Sequence, residues 1–363
     1  MMITASNFFD EPVLQEVRAL KGRQRHDLVR RFWPESTVGR GAFDEFARKA
    51  IMDHIVRELD QIRHSPNDFA VQNFDEMFIV MQALRDSLSK PYKDIVSEML
   101  VLFANTTPEA IRRSIELTVR VWLTINTHSS DIFVGSICAG DAPVDWEEED
   151  SLTRLLQKRY KKRGSTSHQR SASMFDPTFT ATYLVNTCGV RLQWTDDILA
   201  HLNFDLKRLT LTVYRHKACI LGHLDNLQDC PLPRDVLEEI LDTMDLLFPP
   251  DMATKHLLLK EGQQSMYTLG CHRSSRVLDV GHYQYFGEAL EYLVEAFDKA
   301  PRTWRQLALD RRNKLEWSAF WVTIMVAVLT VVSIPCNIVQ ATYSVKAYHV
   351  ALAQGIDTPR GRV

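Results

Sequence analysis

From Trp317 to Val339 the chain runs 23 residues without a charged side chain, and this stretch limits its architecture more than anything else. At about 1.5 Å per residue a helix of that length reaches roughly 34 Å, enough to cross a hydrocarbon core near 30 Å thick. Trp317 and Trp321 stand at one end and Tyr343 at the other, where interfacial aromatics are favoured. The longest competing charge-free run, Pro177–Val190, has 14 residues, four of them Thr, and is too short and too polar to span. A mean hydropathy of −0.19 accommodates one span and excludes a polytopic membrane protein. The alternative is a buried core helix of a soluble protein.

Arg302, Arg305, Arg311, Arg312 and Lys314 precede the span, whereas only Lys346 follows it closely. The basic excess predicts that the N-terminal bulk faces the cytosol. Only 24 residues follow Val339, so the sequence reads as a single-pass, tail-anchored protein inserted after translation. Arg311, Arg312, Trp317, Trp321 and Tyr343 are the expected membrane-interface residues. Thr323, Thr330 and Ser333 weaken the lipid-facing surface and suit contacts between spans, hence oligomerisation. Pro335 is expected to kink or end the regular helix. Span length is compatible with the endoplasmic reticulum or the plasma membrane.

The remainder composes a folded, helix-rich body. Gly and Pro number only 14 each in 363 residues. With 43 Lys+Arg against 46 Asp+Glu the net charge is −3, which excludes a strongly basic nucleic-acid binder. Six scattered cysteines without a C-x-x-C pair read as reduced thiols. The first residues lack a basic segment followed by an apolar one, so no secretory signal is expected.

Helical periodicity covers residues 41–63, 67–88 and 92–104, and Thr107-Pro108-Glu109 opens a fourth helix, so 1–138 reads as a helical region. Residues 139–177 carry Glu147-Glu148-Glu149-Asp150, then a basic block, then a Ser-rich stretch with Arg170, Ser171 and Ser173, and read as a linker or surface loop. Residues 178–300 form a second helical domain. In it Val190–Trp194 and Leu209–Tyr214 alternate as two short strands that pair, and Pro233 opens a strong helix. A basic juxtamembrane helix over 301–316, the transmembrane helix over 317–339 and a short tail over 340–363 complete the expectation. The fold class is mainly α, with a small two-stranded β element and one C-terminal transmembrane helix.

Chemistry is harder to find. Phosphate-cradling glycine motifs, a G-x-S-x-G elbow and H-E-x-x-H are all absent. His216, Cys219 and His223, spaced i, i+3, i+7, would share one face of a continuous helix and are weak metal-ligand candidates, with His201 or Cys230 as a fourth. The bland alternative is a half-buried helix with Cys as a small apolar residue. Asp196 and Asp197 read as residues of a helix start that offset its macrodipole. No cofactor and no catalytic residue are assigned.

Several strings taken together resemble a family of uncharacterised filamentous-fungal proteins with a C-terminal anchor. They are Gly189 to Asp197 followed by Ala200-His201-Leu202; Leu232-Pro233-Arg234 with Leu237-Glu238-Glu239 and Leu246 to Pro249; and Asp310-Arg311-Arg312-Asn313 running into Trp317 to Trp321. The resemblance covers roughly residues 140–350 and implies a membrane-associated protein without a known activity. The absence of catalytic motifs beside a clear anchor makes the expectation a non-enzymatic, membrane-anchored interaction or scaffold protein. The alternatives are an enzyme or ligand-binding protein with a site near Trp194, Asp196, His201 and His216, and a signalling or incompatibility component regulated at the Ser-rich linker.

Overall fold

The computed structural model describes residues 22–34, 44–129, 143–163, 174–298, 308 and 314–356. The chain is mainly helical and divides into two units, one ending at Lys299 and one beginning at Ala300.

The first unit begins with α1 (Gly22–Phe32) and α2 (Asp44–His64), followed by α3 (Phe74–Asp86), α4 (Tyr92–Leu102) and α5 (Pro108–Leu123). Local chemistry sets their starts. Asn73 caps α3 by accepting the Glu76 amide, and Thr107 caps α5 by accepting that of Ala110 with Pro108 in the first turn. The 67–88 periodicity therefore resolves into a 3₁₀ turn at Pro66–Asp68, an extended stretch, and α3.

Helix α5 is buried on every face from Ser114 to Leu123. Its polar residues must then find partners inside the protein. Ser114 accepts the amides of Ala70 and Val71, Glu116 accepts the amide and hydroxyl of Ser129, and Arg120 pairs with Glu58 of α2 at 3.1 Å.

A minimal parallel pair, β1 (Thr127–His128) with β2 (Val144–Asp145), leads to α6 (Leu152–Arg159) and α7 (Ala181–Asn186). The stretch read as a linker is thus in part built into the body. Trp146, Leu152, Leu155 and Leu156 are buried, and the acidic block pairs outward as Lys93–Glu149, Arg112–Glu148 and Lys158–Asp150. Arg163 grips Glu291 through both nitrogens at 2.9 Å. A few apolar anchors outweigh the polar composition, and the regions on either side of this stretch fall in one compact unit. The Ser-rich stretch with Arg170, Ser171 and Ser173 lies outside the described residues.

The two expected strands exist as β3 (Arg191–Thr195) and β5 (Thr210–Tyr214), and they pair in parallel from Arg191↔Thr210 to Thr195↔Tyr214. A third, β4 (Phe204–Asp205), adds antiparallel to β5, giving the order β3–β5–β4. Then follow α8 (Lys217–Asp225), α9 (Arg234–Leu247), α10 (Met252–Lys260), α11 (Gln264–Thr268) and α12 (Gly287–Asp298). Three carboxylates of α9 hold the loop that wraps back over it. Glu239 accepts the amides of Gln284, Tyr285 and Phe286, Asp242 pairs with Arg273 and His282, and Asp245 binds Lys217 and the His272 amide.

In the second unit α13 runs for 43 residues, Lys314–Ile356, with Pro335 inside it. The helix continues through the proline and into the segment read as a tail, as far as Ile356. Trp317–Leu352 is long and apolar enough to cross a membrane, and none of its most apolar window is buried.

Candidate functional site

The parallel register of β3 and β5 brings a buried polar cluster together. Because Thr195 pairs with Tyr214, the residues that follow, Asp196 on one strand and Arg215-His216 on the other, emerge side by side at the carboxyl ends of the strands. Helix α2 supplies His54, Arg57 and Glu58, whose i, i+3, i+4 spacing puts them on one face.

Asp196 is the hub. Its Oδ1 accepts from Arg57 at 2.9 Å, Arg215 Nε at 2.6 Å and His216 Nε2 at 2.5 Å, and its Oδ2 accepts from Arg215 at 2.5 Å. Burial alone would raise its carboxyl, but the hydrogen bonds from His216 and Arg215 hold it well below the usual carboxylate range. Asp196 is therefore a buried ion-pair centre rather than a helix-start charge; the capping role falls to Asp197, which accepts the Leu199 amide ahead of a single 3₁₀ turn.

Burial pushes His216 down to about 3 despite the Asp196 hydrogen bond, and it lowers His54 as well. Both rings are neutral at pH 7. His54 Nε2 faces the Arg120 carbonyl at 3.1 Å and His216 Nε2 faces the Asp196 carboxylate. Since each oxygen only accepts, each Nε2 carries the proton and each Nδ1 presents a lone pair. Both Nδ1 atoms are buried without a hydrogen-bond partner, and the two ring centroids lie 4.7 Å apart. Behind His216 stands Tyr214, whose hydroxyl meets Thr124 Oγ1 at 2.8 Å. Thr124 ends α5 in the left-handed region at φ 57°, a strained conformation for a β-branched residue.

The structure separates the sequence-derived metal trio. His216 is the residue before α8, with φ −93° and ψ 62°, so it leaves the helical face that Cys219 and His223 share. His223 accepts the Trp33 indole N–H at Nδ1 (3.3 Å) and donates from Nε2 to the Trp122 carbonyl (3.0 Å). Cys219 is a buried thiol that burial pushes up to about 12. His201 is engaged at both nitrogens, by the Tyr214 amide and by Thr243. Among the described residues, the group of three that could share an ion is His54, Asp196 and His216, one ligand atom of each lying within 4.8 Å of the others.

The ligand-site alternative near Trp194, Asp196, His201 and His216 is brought together only in part. Asp196 and His216 touch, whereas the Trp194 indole reaches toward Glu261 at 3.4 Å. Sequence reasoning missed His54 and Arg57, which precede Asp196 by 142 and 139 residues. Of the interface residues, Trp317 donates its indole N–H to the Ala308 carbonyl, Trp321 and Tyr343 are exposed on α13, and Arg311 and Arg312 lie outside the described residues.

No family model matches the chain, and comparison with curated proteins and with solved structures finds no match either. What fold and site define by themselves is a mainly α protein with a small β-sheet. Its C-terminal helix is long and apolar enough to cross a membrane.

Proposed function

We propose that the chain is a non-enzymatic interaction protein tethered to an intracellular membrane by α13, with its body on the cytosolic side. The observation that carries the tether is the unburied state of the apolar helix, whose Val322, Val326, Leu329 and Val332 all have about half their surface or more exposed. In water such a surface is costly, whereas a hydrocarbon core accepts it. The basic residues before Trp317 support the orientation, and the resemblance to anchored filamentous-fungal proteins accords with the same reading. The endoplasmic reticulum and the plasma membrane are the two candidate locations, with association between spans as a further element of the proposal.

The test is carbonate extraction combined with protease protection of the full chain tagged at both ends. The expected result is a pelleted protein with only its C-terminal tag protected. Release into the supernatant would overturn the anchor, and protection of the N-terminal tag would overturn the orientation.

A further inference from the structure

Polar residues recur at intervals of seven along α13, as Thr323, Thr330, Asn337 and Ser344. On a helix that period sets them in one line down one side, and Val326, Ser333, Gln340 and Ala347, three residues further on, run beside them. The side facing away reads differently. Ile324, Val331, Ile338 and Val345, with Met325, Val332 and Val339, are all apolar, and Pro335 falls opposite the polar line.

The hydroxyls of this helix satisfy themselves. Thr323 donates to the Ala319 carbonyl, Thr330 to that of Val326, Thr342 to that of Ile338 and Ser344 to that of Gln340. The Asn337 side chain is exposed and makes no hydrogen bond among the described residues. It stands within the apolar stretch, about 9 Å along the axis from Tyr343. In hydrocarbon a carboxamide with its donors and acceptor unmet is costly, and there is no water to meet them.

We propose that α13 pairs with the α13 of a second copy of this chain, in parallel and in register, along the line of Thr323, Thr330, Asn337 and Ser344. The inference rests on the reading of α13 as a membrane anchor and names what that anchor binds. Copies inserted under the same basic excess all point the same way, so two of them meet as a parallel pair about a two-fold axis. The axis sets each residue of the repeat opposite its own counterpart. A carboxamide is its own complement, the N–H of one Asn337 donating to the oxygen of the other, and an Asn at such a position fixes the register. The seven-residue period suits the left-handed crossing near +20° that most paired spans adopt. Ser333, Ser344 and Ala347 are small enough to let the backbones approach, and the ring of Pro335 stays clear of the contact.

The experiment uses the full chain, made in one microsomal membrane as two populations with a donor or an acceptor fluorophore at the N-terminal tag. The membrane is tested by carbonate extraction and then diluted by fusion with phosphatidylcholine vesicles. The expected result is retention in the pellet, energy transfer that persists on dilution beyond that of randomly placed chains, and a linear dependence on acceptor fraction, as for pairs. Asn337→Leu should dissociate at a protein-to-lipid ratio at least about threefold higher than wild type. Ile338→Leu, on the side facing away, should leave the pairing unchanged. Transfer no greater than random, a curved dependence on acceptor fraction, or equal persistence in N337L, as when the body rather than α13 associates, would each overturn the pairing and leave the anchor standing. Release by carbonate would overturn the anchor, and the pairing with it.

Discussion

Some single residues carry far more than their share of the packing. Gly222 is one, because a Cβ built there would lie 2.9–3.1 Å from three atoms of the Trp33 indole, a rigid ring with no freedom to withdraw. Gly222→Ala should lower stability by about 1–3 kcal/mol in urea denaturation, through overpacking alone. Arg120 and Glu58 form an ion pair whose side chains are 1% and 2% exposed. Arg120→Met should cost about 3–5 kcal/mol, and adding Glu58→Leu should recover most of it, since a buried charge without its partner is worse than none. His201 and His223 respond to acid. Burial lowers them to about 3 and about 4, against 6.5 in the unfolded chain. Below pH 6.5 the unfolded chain therefore binds protons that the fold excludes. Stability should fall as pH drops from 6.5 towards 4, by up to about 1.4 kcal/mol per unit for each histidine. Melting temperatures across that range should flatten when His201 is replaced by Gln, provided that the variant folds.

At the scale of elements, α13 offers the cleanest test. Val328 and Val332 lie in the apolar stretch, and replacing both by Arg adds about 5–7 kcal/mol to the cost of insertion. The double variant should leave the carbonate-resistant pellet, whereas Val328→Leu should stay in it. Most elements were legible in advance. Thr107-Pro108 marks α5, Pro233 precedes α9, and the alternation of β3 and β5 identifies both strands, because capping and side-chain period are local properties. What sequence could not show was which residues meet. Placing His216 in the helix with Cys219 and His223 failed by one residue, the point at which α8 begins. Arg57 and His54 lie in a stretch whose period announces a helix and nothing about its partners, and only the in-register pairing of two parallel strands brings Asp196 to them. β4, two residues long, has no period to detect. Likewise 139–177 read as a linker because its charges outnumber Trp146 and three leucines, although the few apolar residues decide where it sits.

For the molecule as a whole, the division at Lys299 carries its own expectation. A chain ending at Lys299 should remain in the supernatant after carbonate extraction and unfold in one cooperative urea transition, because the apolar contacts of α1–α12 lie within one core. A transition in two steps would instead divide the helical regions on either side of 139–177. The contact between Trp33 and His223 also sets a schedule. It joins residues 190 apart, so α1 has no seat until α8 has been made. Fewer than a hundred residues then separate His223 from Trp317, where the apolar helix begins. At about 5–20 residues per second, synthesis crosses that interval in roughly 5–20 seconds. The contact that seats α1 thus has a brief head start over the apolar helix. Slower synthesis between these two points should lengthen that interval and leave α1 more time to reach its seat before the apolar helix is made.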